Sequence, residues 1–415
     1  MSKDPVEIKR EETPPKERIG IMGGSFNPIH SRHLDLAVSA LKEGRLTRVL
    51  FLPTGNPPHK KEGLAPAEDR FEMTRLALIG KPLFTASRIE LDRSGTIYTL
   101  DTLLLLKKQF PFAELFYIIG EDTLLDLPNW HQPDEVFALC HFLVSRRLSD
   151  NAAIPSMRQE LEVRGARFTF LSLAPMDISS TDIRQSLSQG LEPNGLMPQV
   201  MEYIRIMGLY GVPASPPRAA SFYPTLRSAL SDKRLLHSLL VAHTARELAQ
   251  IHGEDPDAAA LAGLLHDCAK CLPLLELKRI AQEQHLLLDE ETLASQSLLH
   301  GPVGAELTKT RYGIDDPNIL SAIGCHTVGK VGMLPLDMIL YLADKIEPSR
   351  TLYPALLEVR ALAREDLVAG MNRMLQSTME YVTTQKTALH PSTQRVADWL
   401  ARLTPQESKR SEAHE

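Results

Sequence analysis

Two sets of residues in this sequence have types and spacings suited to phosphate chemistry. In IGIMGGSFNPIHSRHLDLA, Ile19–Ala37, the pair Gly23-Gly24 directly follows an apolar run and precedes an amphipathic stretch, with His30 and His33 at its start. Glycines there let backbone N–H groups approach an anion, and the N-terminus of the following helix adds a favourable dipole. Imidazoles at i and i+3 share one helix face and can stabilise charge on a reacting phosphate. Neither GxxxxGK[ST] nor GxGxxG is present, so this is neither a Walker loop nor a dinucleotide fingerprint. Downstream, ISSTDIRQSL (Ile178–Leu187) sets Ser179, Ser180 and Thr181 before an amphipathic helix, where hydroxyls cap N–H groups or bind phosphate oxygens, and places Arg184 one turn in. The second set is His237, His266-Asp267, His300, His326 and Asp344, each in or at the end of a different helical pattern. Imidazole and carboxylate suit a divalent Fe, Mn or Zn ion, and an aspartate after an apolar run such as AALAGLLHD is costly to bury unless paired or metal-bound. Each element alone has a plainer explanation: a glycine turn, a surface histidine pair, a hydroxyl cap, ordinary core histidines. It is the combinations that point to chemistry.

The elements that must position these residues differ between the two halves. From Ile19, short apolar runs alternate with helical stretches. Strands are expected at Arg18–Met22, Arg48–Pro53, Leu115–Ile119, Phe142–Ser145 and Phe168–Leu171, with helices at His33–Glu43, Pro66–Ile79 and Tyr98–Gln109. That alternation argues for a doubly wound parallel α/β sheet. Near Gly211 the composition changes, and GVPASPPRAAS reads as a linker. Beyond it strand signals nearly vanish, and Leu226–Ile251, Pro256–Lys270, Leu274–Gln284, Pro302–Tyr312, Pro317–Cys325, Leu336–Ile346 and Leu356–Thr384 read as helices of an all-α domain. The expected organisation is a flexible leader over 1–17, an α/β domain over 18–211, a linker over 212–221, a helical domain over 222–390, and a terminal helix end with a disordered tail over 391–415.

Composition narrows the classes. The 415 residues carry 46 Lys plus Arg against 52 Asp plus Glu, a net charge of −6, which gives no electrostatic reason to expect nucleic-acid binding. No apolar run approaches the roughly 18 residues of a membrane span, and the charged N-terminus lacks the apolar core of a signal peptide. Four cysteines do not make a disulfide scaffold, so the chain reads as cytoplasmic. Cys268 and Cys271 form one CxxC without a second pair and read as inert helix residues.

GGSFNPIHxxH, the strand ending IIGEDTL (Ile118–Leu124) and ISSTDIR occur in that order, supported by PTGNPPHK (Pro53–Lys60), RSGTIYTLDTL (Arg93–Leu103) and Trp130-His131. Together they resemble the nucleotidylyltransferase superfamily and, more narrowly, bacterial nicotinate-nucleotide adenylyltransferases, over residues 18–211. The resemblance implies adenylyl transfer from ATP, with Mg²⁺, to nicotinate mononucleotide, giving deamido-NAD and pyrophosphate. It implies ATP-phosphate roles for His30, His33, Ser180 and Arg184, alongside Gly23, Gly24, Ser25, Phe26, Ser179 and Thr181. It matches Gly120 and Asp122 to the adenosine moiety, Thr99 and Trp130 to the pyridine nucleotide, and Lys60 to phosphate. Asp122 by itself also reads as a helix N-cap. The family pattern HxGH has glycine where this chain has Arg32. An arginine there either points outward or adds a phosphate contact; it also leaves open a front domain that binds nucleotide without turnover.

The pattern RLLHSLLVA…LLHDCAK…LLHGPVGA…CHTVG…YLADKIEPSR, over about Phe222–Arg350, resembles the HD-type phosphohydrolases and is most similar to symmetrical diadenosine-tetraphosphate hydrolases. The resemblance implies His237, His266, Asp267 and Asp344 as ligands of a first metal, Fe or another divalent transition ion. It implies His300 and His326 for a second ion or the substrate phosphates, and hydrolysis to two ADP. Asp267 has the chemistry to bridge two ions, and Lys270 and Arg350 to offset polyphosphate charge. His243, His252 and His285 match no ligand position. The competing substrates are nicotinamide mononucleotide in front and another nucleotide behind.

Overall fold

The computed structural model describes residues 16–55, 63–146, 152–172, 178–385 and 389–403. The chain divides into two compact units between Leu196 and Met197. In the first, strands β1 (Arg18–Gly24), β2 (Arg48–Pro53), β3 (Phe84–Ala86), β4 (Glu114–Gly120), β5 (Cys140–Ser145) and β6 (Phe168–Leu171) form one sheet in the order β3-β2-β1-β4-β5-β6. Every pairing is parallel. This is the doubly wound sheet expected, extended by β3, which at three residues is too short to leave a periodic signal. Parallel strands are buried on both faces, which is why β2 and β4 read as unbroken apolar runs.

The strand order reverses at β1. There the β1–β4 pairing ends at Ile21 opposite Tyr117, while β1 continues against β2 to Gly24 and β4 against β5 to Gly120. The carboxyl ends of β1 and β4 thus part and open a crevice, the usual ligand position in open α/β sheets. Helices Ser31–Glu43 and Ser180–Ser188 start at this end of the sheet.

The second unit is helical, as expected. Two of its helices share one build. Asp255-Pro256 and Asp316-Pro317 start them, each aspartate accepting backbone N–H groups within the first turn, and His266 and His326 follow their last residues Leu265 and Cys325. The Pro256–Leu265 helix lies close against Asp232–His252, because a Cβ on Gly263 would come within 2.7 Å of the Ala242 backbone.

Several boundaries differ from the sequence reading. The unit boundary falls before helix Pro198–Met207, not at Gly211. That helix is tied to the helical unit by Glu202, fully buried, 3.1 Å from Arg246 and 3.3 Å from Arg205. Arg246 also donates to Asp257, at 2.7 Å, and Asp257 accepts the Ser215 hydroxyl, so the Pro-rich stretch is anchored rather than free. Its last residues, from Ala219, already belong to a helix ending at Ala229. Leu226–Ile251 is not one helix: Ser231 caps a new one by accepting the Arg234 N–H. Leu356–Thr384 is likewise split into Leu356–Glu365 and Leu367–Gln385 by the extended Asp366. Pro302 lies inside helix Gln296–Thr310 rather than opening it; its ring costs one backbone bond and the buried helix tolerates it. The terminal region contains a helix, Pro391–Leu403, with Val396 and Leu400 buried. The expected leader up to residue 15 and tail from Gln406 lie outside the described residues.

Removing one partner of a buried ion pair strands the other and typically costs about 3–5 kcal/mol. Glu202→Ala should therefore lower the urea midpoint of the helical unit by a corresponding amount, and leave the unfolding transition of the front unit unchanged. A midpoint within error of wild type would show that the Glu202 network does not hold this helix.

Candidate active sites

The front crevice encloses a cavity of about 390 Å³ lined by Gly23, His30, Arg32, His33, Gly120, Trp130, Ser179 and Ser180 from the expected motifs, together with Tyr117 and Ser145. Gly23 has no room for a side chain, since a Cβ would run into the Tyr117 hydroxyl. The His30 and His33 rings lie with centroids 3.8 Å apart, tilted 37° to one another. The His30 backbone N–H donates to His33 Nδ1 at 3.2 Å, so a neutral His33 carries its proton on Nε2 and can donate a hydrogen bond. Burial and then the Arg32 charge bring His30 down to about 4. Burial, His30 and Arg32 hold His33 well below the ordinary imidazole range. Both rings are thus neutral donors at pH 7, not standing cations. Arg32 faces the cleft rather than pointing away from it.

Ser179 caps the ISST helix, accepting the Asp182 N–H at 3.1 Å, and Ser180 donates its hydroxyl to the Pro28 carbonyl at 2.9 Å. Arg184 donates to the carbonyls of Asn27, at 2.8 Å, and Ser180, at 3.1 Å, with Thr181 Oγ1 at 3.4 Å. It joins the loop after β1 to the start of the ISST helix and is not part of the cavity lining, nor is Thr181. Phe26 is buried at φ 44°, its ring edge-on to His33 at 5.0 Å, and supports that imidazole from behind. Ser25 is exposed, and its carbonyl accepts from Arg70. Asp122 sits in the first turn of helix Glu121–Asp126, whose N-cap is Gly120, so it is not the cap. Thr99 lies near the Tyr117 hydroxyl, Tyr117 is edge-on to Trp130 at 5.7 Å, and Tyr98 stacks on His131 at 4.3 Å, bringing the YT and WH motifs together. Lys60 lies outside the described residues.

In the helical unit the expected ligands converge. His237 Nε2 is 3.0 Å from Asp344 Oδ1, His266 Nε2 is 3.4 Å from Asp267 Oδ2 and 3.8 Å from Asp344 Oδ1, and His237 Nε2 is 3.8 Å from Asp267 Oδ2. The other Asp267 oxygen, Oδ1, lies 3.0 Å from His300 Nε2 and 3.9 Å from His326 Nε2, which are 3.1 Å apart. His266 and His326 donate Nδ1–H to the carbonyls of Gly263 and Ile323, each at 2.7 Å. In the neutral rings the Nε2 lone pairs then face carboxylate oxygens. His266 Nε2 is buried with no hydrogen-bond partner among the described residues. Acceptors turned on acceptors in a buried site fit a cation held between them. Two sets have ligand atoms mutually within 4.8 Å: His237, His266 and Asp344, and His266, Asp267 and His326.

Burial lowers His237's pKa, but hydrogen bonds to Asp344 and Glu347 outweigh it and hold it above its ordinary value. Burial lowers His300 and, more strongly, His326. Burial also opposes the Asp344 charge, yet Lys345, His237, His266 and Arg350 keep its pKa well below the carboxylate range. Lys270 Nζ lies 3.2 Å from His300 Nε2, and burial lowers its pKa.

The residues match a cytidylyltransferase-like family model over 21–186 and an HD-domain model over 234–349. A Mycoplasma genitalium protein described as a probable nicotinate-nucleotide adenylyltransferase/Ap4A hydrolase is 31% identical over 335 residues, 81% of this chain and 89% of the relative. This chain belongs to the family in which a nicotinate-nucleotide adenylyltransferase is fused to an HD domain. For the front half alone, a probable nicotinate-nucleotide adenylyltransferase of Gloeobacter violaceus is 41% identical over 202 residues, 48% of this chain and 98% of the relative. For the rear half, a Clostridium acetobutylicum structure described as a predicted HD superfamily hydrolase involved in NAD metabolism is 37% identical, with a TM-score of 0.43, covering 44% of this chain and 97% of that structure. An HD domain implies divalent-metal binding, and the helical unit of this fusion-family chain has the donors for it.

Some functional residues escaped the sequence reading. Glu347, almost fully buried, has Oε1 3.1 Å from His237 Nδ1, and its carboxylate accepts the Ser349 N–H and hydroxyl at 2.6 and 2.7 Å. A carboxylate behind a ligating imidazole fixes its orientation and tautomer. Glu347 lies in ADKIEPSR, three residues after Asp344, which was the available signal. Arg234 donates to Asp267 Oδ2 at 2.5 Å from one turn before His237. Arg70, fully buried, donates to the carbonyls of Ala65, Ser25, Thr54 and Gly55 at 2.7–3.0 Å, pinning the loops after β1 and β2. An arginine among buried residues of an amphipathic helix was the only hint. Cys268 is buried, its thiol pushed up to about 12 by burial, while Cys271 is exposed; this is consistent with an inert CxxC.

Glu90 is buried beside the Thr99–Tyr117 contact and accepts the Thr102 hydroxyl at 3.2 Å. Burial, partly offset by Thr102 and Arg93, raises its pKa from 4.5 to about 7. A raised carboxyl is protonated in the fold but ionised in the unfolded chain between those values. Its contribution is therefore fully present below pH 4.5 and declines as pH rises to about 7. Glu90→Gln should raise the Tm of the front unit at pH 8 and converge with wild type at pH 4. A variant with the wild-type slope of Tm against pH would refute the assignment.

Proposed function

We propose that the chain is a cytoplasmic bifunctional enzyme. The front unit transfers adenylate from ATP to nicotinate mononucleotide, giving deamido-NAD and pyrophosphate. The rear unit hydrolyses diadenosine tetraphosphate to two ADP. The similarity spanning both halves to a relative named for both activities carries this reading.

In front, the nicotinate-nucleotide phosphate attacks the ATP α-phosphorus in line and pyrophosphate leaves, so no protein nucleophile is needed. Mg²⁺ arrives with ATP and offsets the charge of its phosphates. His30 and His33 offer N–H donors to the phosphates beside the Gly23-Gly24 backbone, and the helix N-termini at Ser31 and Ser180 add their dipoles. Arg184 holds both phosphate loops in register through Asn27 and Ser180. Trp130, at the Tyr117 side of the cleft, receives the pyridine ring. Arg32 lines the same cleft, which favours a phosphate contact over a blocked site.

Behind, His237, His266, Asp267 and Asp344 would hold a divalent transition metal, Fe among them. His300 and His326 would serve a second ion or the substrate phosphates, with Asp267 bridging through its two oxygens. When bound, the metal lowers the pKa of a water so that hydroxide is present near neutral pH. Glu347 orients His237. Arg234, Lys270, Lys345 and Arg350 surround the cluster and offset the polyphosphate charge.

His33→Ala should cut adenylyl transfer by at least about two orders of magnitude, as for loss of a transition-state donor, with ATP binding weakened less. In the same assay Arg32→Gly, which restores the family residue, tests the arginine: weaker ATP binding marks a phosphate contact, and faster turnover marks an obstruction. Near-normal turnover of His33→Ala would refute the front site.

Asp267→Ala should abolish dinucleotide hydrolysis and lower the metal content of the purified protein, since it removes the carboxylate whose oxygens lie within 3.9 Å of His237, His266, His300 and His326. Adenylyl transfer should persist. Retained metal with full hydrolysis would reject the rear site, and loss of both activities would reject the independence of the two units.

A further inference from the structure

The front unit has a second cavity, at the opposite end of the sheet from the phosphate cradle. It measures about 240 Å³ and lies where β1, β4 and β5 begin. Five basic side chains line it, those of Lys16, Arg18, Lys107, His141 and Arg167, against the single carboxylate of Glu114. That carboxylate is already engaged, 2.6 Å from Arg18 and 3.2 Å from Lys16.

The basic groups are held, not merely scattered. Arg18 donates to the Gly44 carbonyl at 3.0 and 3.3 Å, and its guanidinium lies 4.4 Å over the Phe116 ring. Lys107 is fixed by the Ala113 carbonyl at 2.7 Å. His141 Nε2 is 2.9 Å from Thr169 Oγ1, leaving the other ring nitrogen for a ligand. The Arg167 side chain makes no hydrogen bond or ion pair among the described residues. In a chain of net charge −6, a concave site with this excess of positive charge focuses its field on a small volume. Like charges gathered there repel one another, and a compact multivalent anion relieves that repulsion. Fixed guanidinium forks and ammonium groups suit phosphoryl oxygens.

We propose that this cavity binds a phosphoryl anion, at a site separate from the adenylyl-transfer cleft. The shared chemistry is one or two phosphate groups, supplied by inorganic phosphate, by pyrophosphate or by the terminal phosphates of a nucleotide. The site stands independently of either activity proposed above.

His141 is a reporter inside the cavity. Burial, Arg167 and Arg18 hold its pKa below the ordinary value, and a bound anion would oppose the two arginines. The experiment is NMR of histidine-labelled full-length protein, with His141→Gln to assign the resonance. Phosphate, pyrophosphate and Mg-free ATP are titrated separately at ionic strength held constant with KCl. The expected result is a saturable shift of the His141 signal and an upward move of its midpoint by about one unit. Arg167→Ala should weaken the saturating probe about tenfold at this resonance without changing adenylyl transfer. The probe that saturates at the lowest concentration identifies the source. No saturable shift with any of the three, a shift reproduced by KCl alone, or an unchanged affinity in Arg167→Ala would overturn the site.

Discussion

The helical unit is organised around a buried set of imidazoles and carboxylates whose inward-facing atoms are mostly hydrogen-bond acceptors. Asp267 presents one carboxylate oxygen toward His237 and His266 and the other toward His300 and His326, with Asp344 facing the first group. Left to themselves, such lone pairs and negative charges repel, and burying each carboxylate costs several kcal/mol. Five helical segments nevertheless converge to place them there. What makes the arrangement tolerable is cationic: Arg234 on Asp267, Lys345 and Arg350 on Asp344, and a divalent ion for which the Nε2 atoms are already turned inward. The backbone does the aiming. Gly263 and Ile323 carbonyls take the Nδ1 protons of His266 and His326, which sit just past the ends of two helices of matching build.

The front unit solves a related problem with the opposite sign. Its crevice gathers donors suited to the phosphate cradle proposed above: glycine N–H groups, two helix N-termini and two imidazoles. Burial and the nearby Arg32 keep those imidazoles neutral, so they offer N–H donors rather than standing charge. The loops that carry the donors would have unpaired carbonyls, and two arginines collect them. Arg70 holds the carbonyls after β1 and β2, and Arg184 ties Asn27 to Ser180. One rigid guanidinium serving several acceptors fixes loops that have no regular structure of their own.

The crevice itself is a product of sheet topology. β1 and β4 separate after Tyr117 because each continues with a different neighbour, and Gly23 must remain a glycine because Tyr117 fills the space beside it. The same sheet concentrates basic side chains at the other ends of β1, β4 and β5. The two ends of one parallel sheet thus offer two separate concave, anion-compatible surfaces.

The sequence by itself determined the class of each half, five of the six strands, and many of the residues that gather in the front crevice and the rear cluster. Periodicity and buried apolar runs are local signals, and GGSFNPIHxxH, ISSTDIR, HD and ADKIEPSR are short enough to be read along the chain. Where the front unit ends was decided by tertiary structure, because Glu202 pairs with Arg246 across two helices and no linear pattern encodes that pairing. The breaks at Ser231 and Asp366 were missed because each leaves the apolar pattern continuous on both sides. Arg70, Arg234 and Glu347 were missed for a further reason. Their roles depend on which carbonyl, carboxylate or imidazole lies opposite, and for all three that partner is brought close only by folding. Asp267 was legible as a candidate ligand with the chemistry to bridge two ions, but which imidazoles each of its oxygens faces was not. Only the packing of helices around it decides that its two oxygens face two different sets of imidazoles.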